Sequence, residues 1–180
     1  LKFTFPLADS LTLQQVDVQA RSKIVNAVLP RTPLDKPIES GNFDLAINSK
    51  GLSLSGDATI SETPVKLIWI EPFGADRKFI RRYELRGRME PTAQKQLLGL
   101  PSFAPYVTGP VDLDFSLIER LNGNKEVAAK ISLKETALEM PEFGWRKKPG
   151  VVGVAWVSLV SFSDGATDIQ SIDVQAPGLR

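Results

Sequence analysis

The sequence predicts a mostly β protein whose strands form an antiparallel meander, accompanied by one short helix. Three observations support this fold class. Apolar and polar residues alternate with a period of two through most of the chain after residue 40, which places successive side chains on opposite faces of a sheet. Short polar turns separate the alternating runs, and Asn122-Gly123 is a strong hairpin signal. Helical periodicity is confined to one short stretch.

Eight strands are predicted between residues 43 and 176. Two of the alternating runs have eleven residues each and would extend about 35 Å, which is longer than most strands. In chain order the predicted strands are Phe43–Asn48, Leu52–Ile60, Val65–Ile70, Phe79–Met89, Val111–Leu121, Lys125–Leu133, Val151–Phe162 and Asp168–Ala176.

One helix is predicted at Pro91–Gly99, because proline is favoured at a helix start and glycine at its end. The segment Ala8–Val28 mixes the two periodicities, and we assign it to a strand. Residues 1–40 are therefore predicted to form an N-terminal strand and loop segment of the same module as the main sheet domain, residues 41–180.

The composition excludes several classes of chemistry. The 180 residues contain neither histidine nor cysteine, which rules out Ser-His-Asp and Cys-His catalysis, Cys/His zinc sites and thiol redox chemistry. The 22 Lys and Arg residues against 21 Asp and Glu residues give a formal net charge of +1, so no basic surplus favours a nucleic-acid partner. We expect no cofactor and no metal.

The first residues and the longest apolar run indicate how the chain could relate to a membrane. The chain begins Leu1-Lys2-Phe3 without an initiator methionine, from which we expect a fragment or a processed product. The longest apolar run, Val151–Val160, has about half the length that a membrane-spanning helix needs. Any membrane anchor is expected to lie outside this sequence.

Carboxylate pairs are the first candidates for catalysis without histidine, because glycoside hydrolysis needs only two carboxyl groups. Asp112 and Asp114 would share one face of a strand, and Glu139 and Glu142 flank a Met-Pro pair. However, aspartates in this chain fall on the polar phase of the alternating strands, where a solvated sheet face places them. A structural role is the favoured interpretation, and no enzyme activity is predicted.

Other candidate sites carry less information. No Ser-x-x-Lys dyad and no phosphate-binding glycine loop is present. The basic clusters Arg77–Arg82 and Arg146–Lys148 could attract nucleic acid or anionic lipid, but solvated turns are the favoured interpretation. Trp69, Trp145 and Trp156 could stack on a ligand or could pack in the core and at the sheet edge.

The apolar residues of the predicted strands would together form one continuous sheet face. A one-sided sheet must cover such a face, and one short helix is too little to do so. Two solutions remain open at this point. The sheet folds over on itself as a sandwich or barrel, or it curls into a groove that an apolar ligand fills.

Several segments resemble a known family. The run Gly51–Ile60 followed by Thr63–Trp69 resembles a strand–Gly–strand segment of large bacterial AsmA-like envelope proteins. The resemblance covers roughly residues 41 to 172 and includes no catalytic signature. It continues through Tyr83–Gly87, Gly99–Pro101, Gly109–Val111 and Ala137–Lys147.

The resemblance implies a long, strongly twisted and curled sheet, a β-groove, whose concave face is apolar. It implies a non-catalytic module that binds and transfers phospholipid in the periplasm, within an envelope protein that is anchored in the inner membrane and serves outer-membrane biogenesis. Phospholipid or another acyl-chain ligand and neighbouring β-groove modules of the same chain are the implied partners. Membrane contact would occur through parts outside this sequence, and the anchor and most of the family's length are missing here.

The physical chemistry of lipids suits such a groove. Shielding a sixteen-carbon chain from water is worth on the order of 12 kcal/mol, at about 0.8 kcal/mol per methylene. The alternative function is a closed β-sandwich that acts as a scaffold or interaction domain of an envelope protein without binding lipid. The residues predicted to line the acyl path are Leu45, Ile47, Leu52, Leu54, Leu67, Trp69, Leu85, Leu113, Phe115, Leu117, Ile131 and Leu133.

Overall fold

Ten strands form one antiparallel sheet in a computed structural model that describes residues 2–4, 17–30, 36–98 and 106–179. Apart from three short strands that leave it, the chain follows the sheet as a meander from one edge to the other. The order across the sheet is β1 (Lys2–Thr4), β2 (Asp17–Ile24), β3 (Ile38–Asn48), β4 (Gly51–Ile60), β5 (Thr63–Pro72), β6 (Arg81–Met89), β8 (Val111–Glu119), β9 (Lys125–Ser132), β12 (Val154–Ser161) and β13 (Thr167–Gln175).

The edge strands β1 and β13 do not pair with each other, so the sheet is not closed into a barrel. A second, three-stranded sheet consists of β7 (Val107–Thr108), β10 (Ala137–Met140) and β11 (Trp145–Lys147). The helix α1 spans Pro91–Leu98, and a short 3-10 helix spans Pro141–Phe143. The mostly β antiparallel meander with one short α-helix is thus confirmed for the described residues.

All eight predicted strands are present, but several of their ends differ. The third strand of the sheet begins at Ile38, five residues before its predicted start, and the two strands predicted at eleven residues have nine each. The small sheet was not predicted. The predicted N-terminal strand is confirmed only at Asp17–Ile24, and its residues 8–16 lie outside the described residues, as does Gly99 of the predicted helix.

Strand register sorts the side chains onto two faces. One row across the sheet pairs Phe43 with Gly56, Gly56 with Leu67, Leu67 with Leu85, and Leu85 with Phe115. We call the face that carries this row the apolar face. The residues directly before and after these in sequence point to the opposite face, which is polar. On that face five adjacent strands of the sheet place charged residues side by side: Asp57, Lys66, Arg86, Asp114 and Lys130.

The apolar face is buried in the middle of the sheet although no second layer of strands covers it there. Leu54, Leu67, Leu85 and Leu117 are each less than 10% exposed and belong to one core cluster. The segment after β2 adds Ala27 and Leu29 to this cluster. The sheet therefore curls so that its own side chains fill the space over its centre, and the two-sheet sandwich considered from the sequence is not the observed architecture.

One end of the apolar face is closed by the elements that leave the meander. A second core cluster consists of Met89 and Val111 at the ends of their strands, Leu133 directly after β9, Ala93 of α1 and Leu138 of the small sheet. Pairing within this sheet joins Leu138 to Val107 on one side and to Lys147 on the other. The groove that the curled sheet forms is thus capped at this end.

The hairpin between β4 and β5 turns through two residues that are not glycine. Ser61 and Glu62 have φ angles of 47° and 61°, the left-handed conformation that both central residues of a type I′ turn require. A side chain in this conformation costs about 1–2 kcal/mol relative to the right-handed region. The turn is retained because Ile60 pairs with Thr63 and both side chains are buried.

Replacing Glu62 with glycine is therefore expected to raise the free energy of unfolding by about 1 kcal/mol, because glycine adopts positive φ without a steric penalty. Urea denaturation followed by circular dichroism measures the change. The matched control is Ser55→Gly in the middle of the same β4 strand, which should lower the stability by about 0.5–1 kcal/mol. A loss of stability in Glu62→Gly would contradict this account of the turn.

Candidate functional site

The twelve residues predicted to line an acyl path lie on the apolar face. Eleven of them occupy strand positions whose register places them on this face, and Leu133 follows β9 in the same phase. The face also continues where the sequence analysis did not extend it. Tyr83 stands between Trp69 and Leu117, and Val157 stands between Ala129 and Ile172.

Burial divides these twelve residues into two groups. Leu54, Leu67, Leu85, Phe115, Leu117 and Leu133 are buried in the core clusters. Leu45, Ile47, Leu52, Trp69, Leu113 and Ile131 are partly exposed. The first group fills the inside of the curled sheet, so the exposed apolar surface of this face belongs to the second group and to the outer strands.

The most exposed part of the apolar face lies on the last two strands, β12 and β13. Ile169 and Ile172 are 60% and 63% exposed, and Val174 is 37% exposed. Val157 and Leu159 of β12 stand directly opposite Ile172 and Ile169 and are half-buried. We call these five residues the open side of the apolar face, because no described element covers them.

A row of polar residues borders the apolar face at the strand ends opposite the cap. Register places Arg81 opposite Glu119, Glu119 opposite Lys125, and Lys125 opposite Ser161. The Nε atom of Arg81 lies 3.1 Å from a carboxylate oxygen of Glu119. We call these four residues, three of which are charged, the charged row.

Trp69 and Tyr83 lie next to the charged row. Their rings are 5.5 Å apart between centroids and are tilted by 30°. Burial raises the pKa of the Tyr83 phenol, and the guanidinium of Arg81 beside it opposes this shift. The indole Nε1 of Trp69 is buried without a hydrogen-bond partner among the described residues.

A groove of about 770 Å³ opens on the polar face and crosses six strands, from β3 to β9. Its floor is formed at Gly41, Ala58 and Gly87, and of the twelve predicted lining residues only Leu113 contributes to it. Three acidic and three basic side chains line it, so it carries no net charge. They are Asp57, Asp112, Asp114, Lys66, Arg86 and Lys130.

The carboxylate pair considered for catalysis lies in this groove. Arg86 Nε donates a hydrogen bond of 3.0 Å to Asp114, and the guanidinium of Arg88 lies 3.6 Å from Asp112. Both carboxylates are about half exposed. Glycosidases need one carboxyl group whose pKa is raised so that it can act as an acid. Both carboxylates instead lie on an open sheet face and pair with arginine side chains.

The first basic cluster is partly paired with carboxylates, and the three tryptophans are dispersed. In the first basic cluster Arg81 and Arg82 face Glu119 and Glu84, with nitrogen–oxygen distances of 3.1 and 3.2 Å. The three tryptophans do not meet, because Trp156 stands beside Lys130 on the polar face while Trp69 is on the apolar face. Trp145 lies in β11 and donates its indole N–H to the carbonyl of Pro177.

Lys147 of the second basic cluster is a buried amine that the sequence analysis placed in a solvated turn. Its Nζ donates to the carbonyl oxygens of Leu133 and Thr136, at 2.5 and 2.7 Å. Burial lowers the pKa of this amine. Gly153 leaves room for it, since a Cβ there would lie 2.8 Å from Lys147 Cε. The residue fixes the turn that joins the small sheet to β9.

Among the described residues, no three carboxylate side chains converge in a way that could hold a metal ion. The helical part of the described structure is too short to span a bilayer.

Comparisons of the whole chain with known protein families, with curated proteins and with solved structures gave no match.

Proposed function

We propose that this chain is a non-catalytic lipid-binding module that shields acyl chains on its apolar face. The observation that carries the proposal is the continuity of that face across an open sheet, ending in an uncovered patch of large apolar side chains. Monomeric soluble proteins rarely leave such patches uncovered unless the patch binds something. The module would serve phospholipid transport in the periplasm, as the resemblance to AsmA-like envelope proteins implies, alongside neighbouring modules of a longer chain.

The order of polar and apolar rows suits an amphipathic ligand. An acyl chain on Val157, Leu159, Ile169 and Ile172 would end next to the charged row, since Leu159 is two residues from Ser161 along β12. A phosphate group would find Lys125 there, and Arg81 lies two strands away. The acyl chain and the phosphate of a phospholipid would thus each find a matching surface on one face of the sheet.

The burial of the central apolar side chains favours a second candidate. Leu67, Leu85 and Phe115 pack against the protein's own side chains in one core cluster. A domain with a complete core needs no lipid to remain folded and could act as an interaction module of an envelope protein. The exposed side of β12 and β13 would then be a contact surface for protein.

The lipid-binding and protein-interaction candidates predict different effects of a charge on the open side on the affinity for a fatty acid. Replacing Ile172 with glutamate is expected to weaken uptake of a fluorescent long-chain fatty acid by at least about tenfold, because apolar contact is lost and a carboxylate is placed beside the acyl chain. Fluorescence titration of the purified protein measures the dissociation constant. The fold should be retained, since Ile172 is 63% exposed.

The matched control is Ser171→Glu, which adds the same charge at the adjacent position. Ser171 pairs with Ser158 on the polar face, so this variant should bind the fatty acid like the wild type. Equal affinity of both variants and the wild type, or no uptake by any of them, would contradict acyl binding on the open side.

A further inference from the structure

Strand β13 presents an unpaired edge along its whole length. Among the described residues it pairs with β12 only, and all nine of its residues are exposed. An exposed edge of regular strand is a template for pairing with another strand unless side chains oppose it. Its side chains alternate between apolar residues on the apolar face and Asp168 and Asp173 on the polar face.

The two aspartates stand where self-pairing would bring like charges together. An irregularity between β12 and β13 falls at Gln170, so Ile169 and Ile172 share a face although they are three residues apart. Consider two copies of β13 paired antiparallel. If Ile169 of each copy stands opposite Ile172 of the other, Asp168 of each copy stands opposite Asp173 of the other, which gives two like-charge pairs. A second register, with Ile172 opposite Val174, puts Asp173 opposite its own copy. Like charges directly opposite each other destabilise a strand pair.

We propose that β13 is a docking edge for an added antiparallel strand that carries basic residues opposite Asp168 and Asp173 and apolar residues on the other face. The partner is a protein strand of this pattern, and in both registers above the same two carboxylates oppose pairing with a second copy of the chain. Gln170 donates a hydrogen bond of 2.6 Å to Asp168 and holds this carboxylate on the edge strand. The proposal is independent of lipid binding, because it concerns the backbone edge and the polar face.

The test uses the whole chain as its own partner strand. The double variant D168K/D173K carries a basic β13 edge and should be monomeric alone, as should the wild type. Mixed with the wild type, it should form a one-to-one dimer, because every like-charge pair of the self-paired edge becomes an ion pair. Sedimentation velocity would show a species of twice the monomer mass in the mixture only.

The control variant D44K/D57K makes the same change in net charge on the polar face of β3 and β4, away from the edge. Its mixture with the wild type should stay monomeric. Removing the charges without replacing them, in D168N/D173N, should allow the variant to dimerise alone. A monomeric mixture of the wild type with D168K/D173K would overturn the proposal, as would a dimer formed equally well by the control or by the wild type alone.

Discussion

Replacing Phe115 with glutamate is expected to unfold the protein. Phe115 is 9% exposed and lies between Leu85 and Ala129 at the centre of the apolar face. Losing the ring and placing a carboxyl group in this core should cost at least about 4 kcal/mol, a large part of the 5–15 kcal/mol that stabilises a typical domain. Far-ultraviolet circular dichroism and urea denaturation would show the loss of cooperative structure.

The control is Ser116→Lys at the next position of the same strand. Ser116 stands opposite Glu84 on the polar face, where a lysine meets a carboxylate and water. This variant should keep the stability of the wild type to within about 0.5 kcal/mol, as most surface substitutions do. A folded and stable Phe115→Glu protein would show that the centre of the groove is wet and open, contrary to the packed core described here.

The substitution Gly56→Ala is also expected to cause a large loss of stability. Gly56 pairs with Phe43 of β3, and a Cβ atom there would overlap the carbonyl oxygen of Asn42 and lie 2.9 Å from the Cα of Phe43. Both obstacles are backbone atoms of the neighbouring strand, so the conflict cannot be relieved by a side-chain rotation. We expect a loss of about 3 kcal/mol, at the upper end of the range for overpacked sites.

Two comparisons make this prediction specific. At Gly87 an added Cβ would lie 2.9 Å from the Pro64 carbonyl oxygen and 2.9 Å from a methyl group of Val65, so Gly87→Ala should cost less. Ser55→Ala, one residue before Gly56 and exposed, should have little effect. Equal stabilities of the Gly56→Ala and Ser55→Ala proteins would contradict the close approach of β3 and β4.

The sequence was sufficient to predict the strands of the sheet and the face of most residues, because half-buried strands alternate with a strict period of two. Where this period is interrupted, the prediction was incomplete. Ile169 and Ile172 are three residues apart, and only the irregularity opposite β12 returns them to the same face. The apolar face was therefore not followed onto β13, although the regular alternation of Val157 and Leu159 already continues it on β12.

Short elements were missed because their stability comes from contacts distant in sequence. The strands β7, β10 and β11 have between two and four residues, too few for a periodic signal. Lys147 reads as a turn residue in the sequence, and its burial follows from the carbonyl groups of residues 133 and 136 that surround it. Nor could the sequence distinguish a groove from a sandwich, since both use the same one-sided strands.

For the same reason, the exposed part of the candidate site could not be predicted from the sequence. Alternation identifies which residues share the apolar face, but exposure depends on how far the sheet curls. Leu85 and Leu113 have the same phase in their alternating strands, yet Leu85 is buried and Leu113 is partly exposed. The open side on β12 and β13 and the adjoining charged row could be located only with the strand register.

Native mass spectrometry of the purified protein, followed by organic extraction and lipid analysis, is the most direct test of the proposal that the apolar face holds acyl chains. The account predicts co-purified phospholipid at near-stoichiometric amounts, or its uptake when added, and loss of that lipid in the Ile172→Glu variant. A ligand-free mass that stays unchanged on addition of phospholipid would contradict it and leave the protein-interaction role of the open side.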